Sequence, residues 1–239
     1  MLDILFEDDD LIVVNKPAGL LSIPDRFGKT DSVKSLLIEK LGNIFTVHRL
    51  DQFTSGLILF AKNAEAHKAL SELFEGRTIV KKYVGLVIGR PPQTGTIDQA
   101  IMEHPVKKGL MIAHAKGKEA LTTYEVIKYY KQYAWVSFQI HTGRTHQIRV
   151  HMKHIGHTLF NDWEYGGDRI LKGTIYTKYK QFVDNCFEAC PRCALHAATL
   201  GFIHPTTEEK MTFESDLPAD MQAVITKWKN YKAISAAKE

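Results

Sequence analysis

The chain has 239 residues, 44% of them hydrophobic and 24% charged, which is enough for one sizeable core and excludes disorder on the scale of a domain. Its 31 basic and 27 acidic residues leave a formal charge of +4 and a pI near 8.8, a balance that permits an anionic partner without requiring one. No apolar run approaches the roughly 20 residues that span a bilayer, so no membrane association is expected.

The opening stretch MLDILFEDDDLIVVNKP is acidic and lacks the basic start and cleavage site of a secretory signal. Leu11 to Val14 reads as a short apolar strand, and KPAG, Lys16 to Gly19, as a turn whose proline presets φ. Val33, Leu36, Leu37 and Leu41 fall at helical spacing, predicting a helix over 31–41 closed by Gly42. A buried strand over 57–61 and a helix over 64–74, ending near Gly76, follow. Strands then dominate: 82–88, and a hairpin of 122–130 with 134–140 around Lys131, Gln132 and Tyr133. Residues 145–155 read as a helix closed by Gly156, 198–203 and 210–213 as paired strands around HPTTEE. Asp216 caps a last helix, with Pro218 in its first turn, running to about Tyr231. Without repeats, linkers or regular βαβ alternation, this is one α+β domain over 1–239 with a mixed, mainly antiparallel sheet.

Positive charge is concentrated in HTGRTHQIRVHMKHIGH, from His141 to His157, which holds Arg144, Arg149, Lys153 and five histidines but no acid. It fits a phosphate-binding surface, or a solvated helix face whose acids lie elsewhere. His151 and His154 are about a turn apart, yet no H-E-x-x-H pattern or nearby carboxylate completes a metal site. A second basic segment, Lys107 to Lys118, reads as a solvated hairpin unless it flanks the same cleft. Among the aromatic residues Tyr83, Tyr129, Tyr130, Tyr133, Trp135 and Trp163, core packing is the ordinary expectation. Tyr83, beside Lys81 and Lys82, is the exception.

The stretch HRLDQFTSG, His48 to Gly56, sets one carboxylate, Asp51, beside two cations in a loop. Asp51 fits a turn cap with Thr54 and Ser55, a metal ligand, or one of a glycosidase-like acid pair, although no second acid is singled out. It also fits a single ionised aspartate held charged by an arginine and delivered to an extruded base or its sugar, with an aromatic on the base and cations on the phosphates.

HRLDQFTSGLILFAKN resembles the signature of RluA-type pseudouridine synthases, whose core is H-R-L-D-x-x-T-S-G. ILFEDDDLIVVNKPAGL is similar to that family's opening motif, KKYVGLVIG to its tyrosine-bearing strand, HTGRTHQIRVHMKHIGH to its arginine motif and ALHAATLGFIHP to its closing motif. The five occur in the family's order, from about Ile4 to Pro205. The resemblance implies the family's catalytic fold, a mixed sheet flanked by helices and loops around a central cleft. It makes Asp51 the catalytic aspartate, Tyr83 the ring that stacks on the flipped uracil, and Arg149 the partner of Asp51. Leu195 becomes part of the pocket's apolar wall, and Arg49 enters the space the uridine leaves or holds the RNA backbone. His48 is expected to support the loop by hydrogen bonds, and Lys16 reads at least as well as a surface turn residue.

The implied reaction cleaves the N-glycosidic bond of uridine in RNA, turns the uracil and rejoins it through C5. As an isomerisation it needs no cofactor and no metal. Many relatives carry an S4 RNA-binding domain; the chain begins almost at once with the opening motif, which predicts a compact member without one and leans towards those acting on tRNA, or on both tRNA and ribosomal RNA hairpins, rather than towards the S4-bearing kind specific for the large ribosomal subunit. The expected partner is tRNA and/or ribosomal RNA stem-loops, bound by a monomer. The alternatives are an idle RNA-binding or RNA-remodelling module and a metal-dependent hydrolase using the histidine-rich helix. Residues 168–192 read as an insertion carrying Cys186, Cys190 and Cys193, with His196 after them. The set could fill four zinc positions, but three crowded cysteines also fit incidental core residues in a reducing, cytoplasmic protein.

Overall fold

The computed structural model describes residues 2–25, 28 and 31–236. In chain order its elements are β1 (Asp3–Glu7), β2 (Leu11–Lys16), α1 (Val33–Leu41), β3 (Phe45–Thr46), β4 (Ser55–Ala61), α2 (Ala64–Glu75), β5 (Val80–Ile88), β6 (Thr94–Asp98), β7 (Ile101–Glu103), β8 (Met111–Ala113), β9 (Leu121–Tyr129), β10 (Tyr133–Ile140), α3 (Gln147–His154), α4 (Thr177–Ala189), β11 (Leu195–Ile203), β12 (Lys210–Glu214) and α5 (Ala219–Ala236). They form two compact units, Met1–Lys82 with His196–Asp216 and Tyr83–Leu195 with Leu217–Glu239.

In the first unit the strands run in the order β1, β2, β4, β11, with β3 on β4 and β12 on β11. All of these pairs are antiparallel except β4 with β11. Alternate residues of β2 and β4 (Leu11 and Val13; Leu57, Leu59 and Ala61) bury against Ala66 and Leu70 of α2 and against Leu200 and Phe202 of β11. That is the period-two side of a strand meeting one face of a helix. Both helices start on side-chain caps. Ser32 and Ser35 exchange hydrogen bonds in a capping box at α1, and Asn63 accepts the Ala66 N–H at 2.8 Å at α2. The parallel pairing sets Gly56 opposite Ala197, where φ is +108° and a Cβ would sit 2.2 Å from the Ala197 carbonyl oxygen. Only glycine fits.

The second unit has the strand order β5, β10, β9, β6 and a separate antiparallel hairpin of β7 and β8. The expected hairpin is observed as β9 and β10, with Ala134 opposite Tyr129. Its core gathers Tyr130, Tyr133, Phe160, Tyr179, Val183, Met221, Val224 and Trp228, so the segment expected as an insertion contributes α4 to the packing rather than lying apart. Tyr130, Tyr133 and Trp135 are buried as expected, whereas Trp163 is exposed. The α+β class and the mixed, mainly antiparallel pairing are those expected.

Candidate active site

Asp51 lies in the first unit, in the loop between β3 and β4, and the residue on each side of it is clamped. Ser22 Oγ donates to the Leu50 carbonyl at 2.7 Å and accepts the Leu50 N–H at 3.0 Å. The Gln52 carbonyl accepts from Lys16 Nζ at 2.9 Å and from the Gly19 N–H at 2.9 Å, and Gln52 Nε2 donates back to the Gly19 carbonyl at 3.0 Å. The turn closes with Thr54 N–H donating to the Asp51 carbonyl at 3.1 Å. Ser55 and Gly56 already belong to β4, so the turn that presents the acid is shorter than the motif suggests.

Lys16 corrects the surface-turn reading. It is fully buried, and its ammonium also donates to the Leu20 and Pro17 carbonyls, at 2.8 and 3.0 Å. A buried ammonium persists only where its donors are matched, and the Pro17 and Leu20 carbonyls and that of Gln52 match them. Arg49, between His48 and Leu50, is exposed to solvent.

His48 acts as expected from the sequence. Its Nε2 accepts the Leu59 N–H at 3.0 Å, which places the ring proton on Nδ1, and its ring stacks on Phe74 with centroids 4.8 Å apart. Burial, followed by the nearby charge of Lys81, holds its pKa down to about 3. Near neutrality His48 is an uncharged brace, not a proton carrier. His196 has a similar position in β11: Nδ1 lies 2.9 Å from Ser55 Oγ and Nε2 lies 3.4 Å from the Ser215 carbonyl. The carbonyl can only accept, so Nε2 carries the proton and Ser55 donates to Nδ1.

In the second unit, Arg149 is buried within α3. It makes a bidentate pair with Asp162, Nε to Oδ2 at 2.8 Å and Nη2 to Oδ1 at 2.7 Å, and Nη2 also reaches Glu164. The guanidinium lies 4.8 Å from the centroid of Tyr165, whose Oη meets His146 Nδ1 at 2.8 Å and accepts the Met111 N–H at 3.1 Å. The pair fixes the guanidinium plane through its Nε–Nη2 edge. The acids missing from the basic stretch are therefore supplied by NDWEYGG, just downstream.

Helix α3 begins at Gln147 rather than Thr145 because Gln147 ties the preceding loop. Its Oε1 accepts Thr142 Oγ1 at 2.6 Å and the Arg144 N–H at 3.0 Å, while Nε2 donates to Leu121 O and Thr122 Oγ1, both at 3.0 Å. His151 is buried with both ring nitrogens engaged, at 2.9 Å from Thr122 Oγ1 and 2.9 Å from the Gln99 carbonyl. It has no lone pair to offer a metal.

Tyr83 is buried in β5, and Leu195 opens β11 with its carbonyl accepting Arg192 Nη1 at 3.1 Å. Arg192 is itself held by Asp220 of α5, Nε to Oδ2 at 2.6 Å and Nη2 to Oδ1 at 3.0 Å. Two residues before Leu195, Cys193 Sγ meets Asp162 Oδ2 at 3.6 Å, so the start of β11 and Arg149 share one carboxylate. Cys186 and Cys190 lie in the core, where burial pushes both thiols up to about 12. Among the described residues no three His, Cys, Asp or Glu side chains gather into a metal-binding group.

Sequence reasoning missed Ser22, Asp162, Glu164 and Arg192, and it read Lys16 at least as well as a surface turn residue. A signal existed for the acids: an acid-free helix followed at once by a segment with two carboxylates.

A sequence model of the family described as RNA pseudouridylate synthase matches residues 10–154. Ribosomal large subunit pseudouridine synthase D of Buchnera aphidicola is 36% identical over 230 residues, 94% of this chain and 72% of its own. The protein of that name from Vibrio parahaemolyticus is 37% identical over 229 residues, 93% of this chain and 69% of its own. Among solved structures, human RNA pseudouridylate synthase domain containing 4 superposes with a TM-score of 0.73 over 95% of this chain and 93% of its own, at 23% identity, a likeness of fold.

Proposed function

The chain belongs to the RNA pseudouridylate synthase family, and from that premise we propose which residues it works with and on which RNA. It is an isomerase that converts uridine in RNA to pseudouridine. In that conversion the C1′–N1 bond breaks and a C1′–C5 bond forms, the C5 proton leaves and N1 regains one, so nothing is oxidised or reduced.

Asp51 is the catalytic aspartate. The observation that carries this is its setting: a loop carboxylate whose neighbours Leu50 and Gln52 are each held by reciprocal hydrogen bonds. Two buried polar side chains, Ser22 and Lys16, serve those neighbours. Such support is what a reacting group needs and a solvated turn cap does not. Attack of Asp51 at C1′ and removal of a sugar proton both require the charged carboxylate. Tyr83, Arg149 and Leu195 are substrate-binding residues, and exposed Arg49 takes the RNA. The family match runs across the division between the two units, which supports reading them as one catalytic domain.

Relatives matching over nine-tenths of the chain are named for the large ribosomal subunit, which supports a reading with its RNA ahead of tRNA as the substrate. The cytoplasm, where that RNA is made in bacteria, is the matching location, and the chain works as a monomer. Among the described residues no helix is long and apolar enough to cross a membrane.

Tritium release from 5-³H-uridine RNA tests the catalytic assignment. Asp51→Asn abolishes release while RNA binding persists; near-normal release from the variant overturns it. Pseudouridine mapping of ribosomal and transfer RNA from a strain lacking the gene names the target. The lost position returns with the wild type and not with Asp51→Asn.

A further inference from the structure

The charges of the segment 107–118 read, on their own, as those of a solvated hairpin. In the second unit two of them, Lys116 and Lys118, line a groove. The β7–β8 hairpin and the loop 143–145 ahead of α3 line an open groove of about 450 Å³. Its lining combines the half-buried thioethers of Met102 and Met111 with three cations, Lys116, Lys118 and Arg144. Among the described residues the one acid of the lining, Glu103, is turned to the hairpin's own tip, where Oε1 accepts the Gly109 N–H at 2.6 Å.

The cations stand on a fixed frame. Ile101 and Lys118 exchange backbone hydrogen bonds at 2.9 and 2.8 Å. Between the two lysines, Gly117 lies so close to Ile101 that a Cβ would come within 2.4 Å of its carbonyl carbon. Arg144 is anchored by Nε to the Glu119 carbonyl at 2.9 Å and by its N–H to Gln147 at 3.0 Å, which leaves the Nη donors for a ligand. Met111 N–H donates to Tyr165 Oη, and the Tyr165 ring packs on Arg149, so the groove and Arg149 share a support.

We propose that this groove binds the RNA backbone: phosphates on Lys116, Lys118 and Arg144, with ribose or base against Met102 and Met111. The inference rests on the chain's action on RNA and adds a binding site distinct from the reacting nucleotide's. A single small anion needs a closed cradle, whereas cations spread along an open groove suit successive phosphates. Apolar thioethers between them suit the sugar and base faces.

The test measures binding of the full chain to two RNAs over a salt series: a transcript of large-subunit ribosomal RNA and a uridine-free oligoadenylate. The double variant Lys116→Ala/Lys118→Ala weakens both about tenfold near physiological salt and lowers the slope of log K against log salt by about 2. Lys116→Arg/Lys118→Arg restores affinity and slope. Unchanged affinity and slope overturn the proposal, as does a loss that arginine does not restore.

Acetylation of native lysines in the wild type supplies an arm independent of variant folding. Either RNA protects Lys116 and Lys118; full reactivity in the RNA complex, or protection by polyglutamate alone, overturns the proposal. If the wild type binds RNA through these lysines but releases no tritium, the enzymatic reading fails and the groove stands. If it releases tritium while the groove results fail, only the groove falls.

Discussion

Lys16→Met keeps the length and apolar stem of the side chain and removes the ammonium, so it tests what the ammonium contributes, three carbonyl contacts among the rest. The Gln52 carbonyl retains the Gly19 N–H, but the Pro17 and Leu20 carbonyls lose the ammonium. Both bonds are part-buried, with Pro17 exposed and Leu20 half-buried, so water replaces part of what is lost and the two together cost about 1–3 kcal/mol, a sizeable part of the ~5–15 kcal/mol that holds a domain together. With m on the order of 3 kcal/mol/M, the urea midpoint falls by about 0.3–1 M. Lys16→Arg does not rescue, because a planar guanidinium cannot put three donors where one nitrogen stood. Below the melting range, Lys16→Met also loses pseudouridine formation, since Gln52 adjoins Asp51. A midpoint within 0.3 M of wild type, or normal tritium release, refutes the clamp.

Asp162→Asn leaves the buried Arg149 charge poorly matched and costs about 3–5 kcal/mol by urea unfolding. Glu164→Gln, at a carboxylate 40% exposed, costs under about 1 kcal/mol; the reverse order would contradict the geometry. His48 has a folded pKa of about 3 against 6.5 for the free side chain, so below pH 6.5 the unfolded chain binds a proton that the fold refuses. Its contribution is full above 6.5 and is lost by about 1.4 kcal/mol per pH unit as pH falls toward 3. His48→Gln keeps an acceptor for Leu59 and removes about 2 kcal/mol of the loss between pH 7 and 5; an unchanged slope argues against a neutral brace. Cys186 and Cys190, with thiols pushed up to about 12, stay unlabelled by a thiol reagent at pH 8 until urea unfolds the chain, and rapid native labelling would overturn their placement.

What the sequence shows of this site follows from how each part is encoded. Asp51, Arg49 and His48 lie in one contiguous stretch, so spacing alone brings them to one loop. The supports do not. Lys16 reaches Gln52 because β2 runs antiparallel to β4 in a register that sets Lys16 opposite Gly56. That register lays the KPAG turn beside the loop preceding β4, and no local pattern states it. KPAG read alone is a surface turn; read across β4 it is the floor of the Asp51 loop. Arg149 shows the opposite case. An acid-free helix is electrostatically incomplete once buried, and Asp162 lies only thirteen positions downstream, so burial of α3 turns a charge run into a specific pair. The histidines divide by the same rule. Those whose two ring nitrogens both meet backbone or hydroxyl groups, His151 and His196, are structural, and their partners are fixed by strand pairing rather than by spacing. In this chain the loop that carries Asp51 is local and legible, and the groups that hold it are long-range and become visible only with the register of the sheet.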